Sequence, residues 1–310
     1  MKTLKLFLCL LFIVFMNQDI NAQTIRERIA ERLAHRQQAN EMEQEDGDGK
    51  LFNPENATVQ RNISYGADNA QRFDVYIPNN VKNAPVILMV HGGAWRLGDK
   101  AINRVVENKA NRWLPKGIIF VSINYRMLPK ADPLTQANDV ALALAKAQTL
   151  APSWGGDPNR FVIMGHSAGA HLVALISANP NVAKQQGAQP WLGSIMLDSA
   201  AYDIEQTMAS KHYSFYDNAF GTDNAFWKST SPSHQLTQKT LPMLAVCSSK
   251  RKDQPCIQAA AFIEKAVKLG TQANLLPESM SHKEINENLG LNNEYTKQVE
   301  AFMRALGLAL

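Results

Sequence analysis

Residues 161–171 read FVIMGHSAGAH and place a serine between two glycines, directly after a run of mostly apolar residues. A strand that ends at His166 and passes at once into a helix beginning at Ala168 would force Ser167 into a cramped backbone conformation. Glycine two positions to either side relieves the crowding, because a Cβ at those positions would collide with its neighbours. The pattern G-x-S-x-G between a buried strand and an Ala-rich helix is typical of a nucleophile elbow, which lifts the serine Oγ beside a helix N-terminus. We therefore predict a strand-turn-helix unit with Ser167 as a nucleophile.

The chain around this unit alternates strand-like and helix-like runs from about residue 57, as expected for a sheet covered on both faces. The strands expected are ATVQRNISYG, QRFDVYIP, APVILMVHG, GIIFVSINY, RFVIMGH, GSIMLDSA, LPMLAVCSS and QANLLPES. The helices expected are RVVENKANRWLPKG, LTQANDVALALAKAQTLA, SAGAHLVALISANP, CIQAAAFIEKAVKLG and NEYTKQVEAFMRALGLAL. From the third strand onward strict apolar/polar alternation is missing, which indicates buried parallel strands. We predict an α/β fold with a mostly parallel eight-stranded sheet, in one domain over residues 51–310.

A second glycine cluster follows the third predicted strand, in ILMVHGGAW at 87–95. The tetrahedral intermediate of acyl transfer carries an oxyanion, and one preorganised donor to it can contribute about 3 kcal/mol. Without side chains, Gly92 and Gly93 let the backbone approach the serine closely. We expect the N–H groups of Gly93, Ala94 and Ala168 to form the oxyanion hole, while Gly92 shapes the turn.

Serine is a poor nucleophile on its own and needs a base, which is itself oriented by an acid. The base expected is His282, in LLPESMSHKEIN, because the loop after the last strand is where a base can reach Ser167. The other six histidines fall in the N-terminal segment, in the two glycine-containing loops, or in the segment after the sixth strand: His35, His91, His166, His171, His212 and His234. Of these, His91 is expected to brace its loop by hydrogen bonding.

For the acid, the loop after the seventh strand reads CSSKRKDQPC and contains one carboxylate, Asp253. It lies between Cys247 and Cys256, which we expect to form a disulfide that holds the loop, with a stabilisation of about 2 to 3 kcal/mol. Asp198, in IMLDSA after the sixth strand, is the alternative, because that position can also bring a carboxylate to the base. We favour Asp253.

The first residues resemble a targeting segment, with the basic stretch MKTLK, the apolar run LFLCLLFIVFM and a small residue at Ala22. We expect a cleaved signal peptide at 1–22 and a secreted or periplasmic protein, since the run is shorter than the roughly 20 apolar residues that span a bilayer. Cleavage would remove Cys9 and leave two cysteines, an even number that favours pairing outside the cytoplasm. Residues 23–50 are expected to form an amphipathic helix and an acidic linker.

Composition narrows the classes of partner. A net charge of +4 over 310 residues is weak, and SKRK at 249–252 is too short to indicate nucleic-acid binding in preference to a solvated loop. Between the sixth and seventh strands, residues 200–236 are rich in aromatic side chains, which suggests a lid or pocket wall; packing of this segment onto the domain explains most of them equally well. They are Tyr202, Tyr213, Phe215, Tyr216, Phe220, Phe226 and Trp227. No charged clamp for an ionic substrate stands out, so the partner expected is an uncharged ester of a short acyl or aromatic acid.

Taken together, these residues resemble the α/β-hydrolase superfamily, in the chain order nucleophile, acid, histidine, over nearly all of 57–310. The stretches HGGAW, GHSAGAH, INYR and SHKEIN are similar to the carboxylesterase and feruloyl-esterase-like (BD-FAE-like) group, which is related to arylformamidases and to hormone-sensitive-lipase-type esterases. The hormone-sensitive-lipase type usually has a third glycine where this chain has Ala94. The resemblance implies ester hydrolysis through an acyl-enzyme, with no cofactor or metal, and with Ser167 as nucleophile, Asp253 as acid and His282 as base.

Two alternatives remain from sequence. HGG-x-W also occurs in arylformamidases, so cleavage of an amide is open. A binding protein that kept the fold and lost the chemistry is the other; such a protein would be expected to lack the nucleophile, the base or the oxyanion glycines, all of which are present here.

Overall fold

A computed structural model describes residues 51–310 of the chain. The expected signal peptide at 1–22 and the expected helix and linker at 23–50 lie outside the described residues. Within 51–310, no helix is both long enough and apolar enough to cross a membrane.

Eight strands form a single sheet, and the predicted α/β class is confirmed. The strands are β1 (Ala57–Ser64), β2 (Arg72–Pro78), β3 (Ala84–Val90), β4 (Ile119–Ile123), β5 (Gly156–His166), β6 (Gly193–Leu197), β7 (Met243–Ser248) and β8 (Ala273–Glu278). Their order across the sheet is β1-β2-β4-β3-β5-β6-β7-β8. Strand β2 runs antiparallel to both β1 and β4, and all other neighbours are parallel. The carboxyl ends of β3, β5, β6, β7 and β8 therefore share one edge of the sheet.

Burial follows the sequence pattern except in β8, which was expected to be buried but is an edge strand whose residues are all half-buried or exposed. Every residue of β3, APVILMV, is buried, as is every residue of β4, β6 and β7. The edge strand β1 instead alternates between half-buried and exposed side chains. Continuous apolar runs thus form the strands covered on both faces, and the alternating run forms an edge.

Helices cover the sheet, and the five predicted from sequence are all present. They are α1 (Asn103–Trp113), α2 (Pro133–Leu150), α3 (Ala168–Ala178), α4 (Asn181–Gln185), α5 (Ile204–Ala209), α6 (Ser214–Phe220), α7 (Asn224–Thr230), α8 (Pro232–Gln235), α9 (Pro255–Lys268), α10 (His282–Glu287) and α11 (Glu294–Ala305). The aromatic segment between β6 and β7 forms the four short helices α5 to α8.

Hydrogen bonds from helix α1 hold the short helix α10 in place. The fully buried ammonium of Lys109 donates to the backbone and side-chain oxygens of Asn286, at 2.6 and 2.9 Å. The Asn108 side chain donates to the carbonyl of Glu287 at 2.7 Å. A helix of six residues is too short to be stable alone. These bonds to α1 hold it, and with it the loop that ends at His282.

The predicted disulfide between Cys247 and Cys256 is confirmed. It joins the end of β7 to the first turn of α9, so that the intervening loop is closed at both ends. The sequence separation is nine residues, and a loop of this length restricts the unfolded chain when cross-linked.

Removing this cross-link should lower stability while leaving the fold intact. We expect Cys256→Ser to reduce the free energy of unfolding by about 2 to 3 kcal/mol, because the unfolded chain regains loop entropy. Urea denaturation measures the change. Wild-type protein treated with reductant is the matched control and should show the same loss. Detection of two free thiols in the untreated protein by mass spectrometry would contradict the disulfide.

Candidate active site

The turn between β5 and α3 has the geometry of a nucleophile elbow. Ser167 has φ 54° and ψ −119°, a region that non-glycine residues rarely occupy. Its N–H donates to the carbonyl of Leu197 at 2.9 Å, which ties the turn to the end of β6. Helix α3 then begins at Ala168 and is buried along its whole length. The predicted strand-turn-helix unit is confirmed.

The two glycines of the motif are required by close backbone packing. A Cβ on Gly165 would overlap the carbonyl of Gly169, and a Cβ on Gly169 would overlap the carbonyls of Val90 and His91. The first turn of α3 therefore rests directly on the end of β3. This contact places the serine and the glycine-containing loop after β3 side by side.

His282 lies at the first position of α10, and its position is set by a capping box. The Ser281 side chain accepts from the N–H of Glu284, and the Glu284 side chain accepts from the N–H of Ser281. The carbonyl of His282 also lies 3.0 Å from Nε2 of His166, at the end of β5. Backbone and cap thus hold the imidazole at the carboxyl edge of the sheet.

The carboxylate that meets this imidazole belongs to Asp198. Nδ1–H of His282 donates to Oδ2 of Asp198 at 2.6 Å, while Oδ1 accepts from the N–H of Ser248 at 2.8 Å. Strand pairing sets His166 opposite Leu197, so the next residues, Ser167 and Asp198, leave neighbouring strands at the same level. The end of β6 therefore brings Asp198 beside both the serine turn and His282.

The structure brings Asp198, the alternative acid from the sequence, to His282, and it does not bring Asp253 there. Asp253 pairs with the guanidinium of Arg251, accepting from Nε at 2.9 Å and from Nη2. Arg251, in the basic stretch SKRK, lies two residues before Asp253 and forms an ion pair with its carboxylate.

Arg251 is a residue of this site that sequence reasoning missed. Its side chain is buried, and Nη1 donates to Oδ2 and to the carbonyl of Asp198 at 3.0 and 3.1 Å. Nη1 also lies 3.2 Å from Nδ1 of His282. The signal in the sequence was SKRK, which we interpreted only as a solvated basic stretch.

A narrow cavity opens at Ser167. Ala94 and Ala168, two of the three expected oxyanion donors, share its wall with the serine. Gly93, the third expected donor, precedes Ala94 in the chain but does not line the cavity. Gly93, Ala94 and Trp95 have φ of 109°, 49° and 61°, so the loop after β3 follows a strained path that only the surrounding packing can enforce.

Comparison with known proteins identifies the family of the chain. A family model described as BD-FAE matches residues 73–265. The chain belongs to the BD-FAE family.

The chain is also similar to proteins named as esterases, and it shares its fold with a solved esterase structure. The chain is 29% identical to esterase LipC of Mycobacterium tuberculosis, over 66% of this chain and 54% of the relative. It is 28% identical to a probable isoprenylcysteine alpha-carbonyl methylesterase of Oryza sativa subsp. japonica, over 72% and 52%. It thus spans about half the length of these curated relatives. A truncated carbohydrate esterase from gut microbiota has the same fold, with a TM-score of 0.70 and 18% identity over 84% of this chain and all of that one.

The electrostatics of this BD-FAE site keep the imidazole neutral. Burial lowers the pKa of His282 to about 4, and the nearby His166 and Arg251 act in the same direction against the opposing carboxylate of Asp198. Burial alone would raise the pKa of Asp198, but the charge of Arg251 and the hydrogen bond from His282 hold it far below its usual value. Nε2 of His282 makes no hydrogen bond to any described residue, Ser167 included, so its lone pair is free to accept a proton.

The remaining histidines within the described residues take part in packing or in surface ion pairs. His91 is buried, stacks on Tyr125 with ring centres 4.6 Å apart, and its Nδ1 lies 2.7 Å from the carbonyl of Gly92. His171 accepts from the indole of Trp95 at 3.1 Å. His212 pairs with Asp217 at 3.0 Å. The expected bracing role of His91 agrees with its contacts.

The aromatic segment divides between pocket wall and packing. Phe215 and Tyr216 of α6 line the cavity together with Trp95, and Phe220 packs against Trp95 with ring centres 4.9 Å apart. Tyr202 instead stacks on Phe262 of α9, at 4.9 Å. The half-buried Phe226 and Trp227 lie farther along the segment and are not in the cavity wall among the described residues. Trp95 both lines the pocket and fills the core.

Gly169→Ala should destabilise the protein, although alanine normally favours a helix by about 1 kcal/mol over glycine. The added Cβ would overlap backbone carbonyls at the end of β3, so we expect a loss of about 3 kcal/mol or more in unfolding free energy, measured in urea. Gly307→Ala is the control, because its Cβ would meet no atom within 4 Å; it should lose only about 1 kcal/mol for its positive φ. Equal stability of Gly169→Ala and wild type would contradict the close contact.

Proposed function

We propose that this protein is a serine esterase that hydrolyses uncharged carboxylic esters through an acyl-enzyme. The observation that carries the proposal is the 2.6 Å hydrogen bond between Asp198 and His282, at the level of the strained Ser167. The acid is Asp198, in place of the Asp253 that the sequence favoured.

In the first half of the reaction, Nε2 of His282 takes the proton from Oγ of Ser167 as the oxygen attacks the ester carbonyl. Asp198 accepts from Nδ1–H and stabilises the imidazolium that forms. The N–H groups of Ala94, Ala168 and Gly93 stabilise the oxyanion, beside the N-terminus of α3. The C–O bond to the alcohol then breaks, and His282 gives its proton to the leaving oxygen.

In the second half, water replaces the alcohol. His282 removes a proton from the water as it attacks the acyl carbon, and the tetrahedral intermediate collapses to release the acid and restore the Ser167 hydroxyl. The proton returns to Oγ from Nε2, so the enzyme is unchanged. The chain's own residues account for each proton transfer.

The pocket supports a small, uncharged acyl group. The cavity beside Ser167 is narrow, about 10 Å³, which leaves little room for a long acyl chain, and the aromatic side chains of Trp95, Phe215 and Tyr216 line it. Arg251, the cation at the wall, already binds two carboxylates, so it does not offer a free clamp for an anionic substrate. Relatives named as esterases favour an ester over the amide of an arylformamidase.

We also infer that the protein works outside the cytoplasm. The disulfide between Cys247 and Cys256 supports an oxidising compartment, and the apolar run near the first residue has the pattern of a signal peptide.

Ser167→Ala should abolish turnover of p-nitrophenyl acetate, because the attacking oxygen is lost, while circular dichroism shows an unchanged fold. Wild-type protein should react with a fluorophosphonate probe, and the alanine variant should not. A wild type that resists the probe and leaves the ester intact would instead indicate a binding protein.

The narrow cavity beside Ser167 predicts a preference for short acyl chains. Wild-type protein should therefore hydrolyse p-nitrophenyl octanoate more slowly than p-nitrophenyl acetate.

Asp198→Asn should lower kcat by about 10⁴-fold, because an amide no longer fixes the reactive tautomer of His282 or stabilises its charged form. Asp253→Asn is the matched control, with the same chemical change in a carboxylate that does not touch the imidazole; at pH 8 we expect it to retain kcat within about tenfold. Steady-state kinetics on both variants decide the matter. A larger loss at Asp253 than at Asp198 would reverse the assignment of the acid.

A further inference from the structure

A buried cation in the loop after β7 contacts both Asp198 and His282. Arg251 is 6% exposed, and its Nη1 binds both the carboxylate and the carbonyl of Asp198. Ester hydrolysis by a serine, a histidine and an aspartate has no need of an arginine here. Burying a charge is also costly unless every donor is used, so its presence calls for a physical role.

Asp253 fixes the guanidinium in this position. It binds Nε and Nη2 as a fork, which leaves Nη1 pointing at Asp198. The disulfide closes the loop that carries both residues, between β7 and α9. The charges of Asp253, Arg251 and Asp198, which contact one another in this order, alternate in sign. Asp198 in turn contacts the imidazole of His282.

The titratable groups around His282 come from several elements. Asp198 follows β6, His166 ends β5, with its ring centre 4.4 Å from that of His282, and Arg251 and Asp253 lie in the loop after β7. Three buried tyrosines lie nearby: Tyr213 directly before α6, Tyr216 on α6, and Tyr295 on α11. Burial raises the pKa of each tyrosine, so all three stay uncharged.

We propose that Arg251 is a positioning residue of this pair: it holds Asp198 by two hydrogen bonds and offsets part of its charge, so that His282 remains an unprotonated base in acidic solution. This inference rests on the proposed esterase function.

The argument is electrostatic. A lone buried carboxylate beside an imidazole stabilises the imidazolium and raises the pKa of the histidine. A cation 3.2 Å from Nδ1 opposes that effect, and burial acts in the same direction as the cation. Since the base must be neutral to accept the serine proton, activity falls as the pH drops through the pKa of His282. A lower pKa therefore extends activity toward acid.

The alternative role, direct binding of a substrate carboxylate, does not fit the contacts. Both faces of the guanidinium fork are taken by Asp198 and Asp253. A substrate anion would have to displace one of these and would meet two carboxylates at short range.

The test is the pH profile of kcat/KM for p-nitrophenyl acetate in four variants and wild type. Arg251→Met should move the midpoint of the acid limb up by about one pH unit, since it removes the positive charge and leaves the carboxylates. Asp253→Asn should move it down, because it removes a negative charge and keeps the arginine. Arg251→Lys should stay closer to wild type than Arg251→Met does. Lys252→Met is the control, with an exposed cation lost from the same loop, and its limb should not move.

A purely structural role for Arg251 would lower kcat or stability without shifting the acid limb in opposite directions for Arg251→Met and Asp253→Asn, and that result would overturn the proposal. A loss confined to KM for esters with a free carboxylate would assign Arg251 to substrate binding instead. If Arg251→Met fails to fold, Asp253→Asn decides: an upward or absent shift refutes the inference.

A second readout separates this inference from the proposed function. NMR titration of the His282 ring does not depend on turnover, and in the Ser167→Ala background Arg251→Met should still raise its pKa. An active Ser167→Ala would refute the esterase mechanism. An inactive one combined with an unmoved His282 titration would refute only the role of Arg251.

Discussion

The contact of helix α3 with the carboxyl end of β3 is the constraint from which the site follows. At Gly169 two backbone carbonyls occupy the space that a Cβ would need, and at Gly165 the carbonyl of Gly169 occupies it. Any side chain at either position would push the helix outward and carry Ser167 away from the loop at Ala94. The strain at Ser167, held by its bond to Leu197, persists because buried strands on both sides leave the turn no other path. Stability of the core is thus what maintains an unfavourable backbone at the nucleophile.

The end of strand β6 and the start of helix α10 hold Asp198 and His282 in fixed positions. Asp198 leaves β6 one residue after its last pairing with β5, so strand register alone sets its distance from the serine turn. Its φ of 58° is again a value that only enclosed packing maintains in a non-glycine residue. Two strands farther across the sheet, the capping box at Ser281 and the anchoring of α10 by Lys109 fix His282. No member of the acid–base pair lies on a long free loop.

The secondary structure could be predicted from the sequence, whereas the contacts within the site could be predicted only in part. Strand and helix positions followed from long apolar runs and from turn chemistry, and the elbow glycines identified Ser167 because their spacing has a steric cause. His282 followed from its place after the last strand. The carboxylate that contacts His282 did not follow, because Asp198 and Asp253 both lie in loops at the carboxyl edge of the sheet and local pattern gives no distances. What decides between them is Arg251, a tertiary partner whose burial cannot be inferred from a stretch that looks solvated.

The cost of burying that arginine also explains why the loop is cross-linked. An ion pair removed from water gains little unless its geometry is fixed, and a loop with seven consecutive polar or charged residues, 248–254, would otherwise favour solvent. Joining Cys247 to Cys256 restricts the loop at both ends, so the guanidinium loses less conformational entropy on folding when it enters the protein between two carboxylates. The same closure that stabilises the fold thus keeps a positive charge beside the base. Loop entropy and the protonation of His282 are coupled through one side chain.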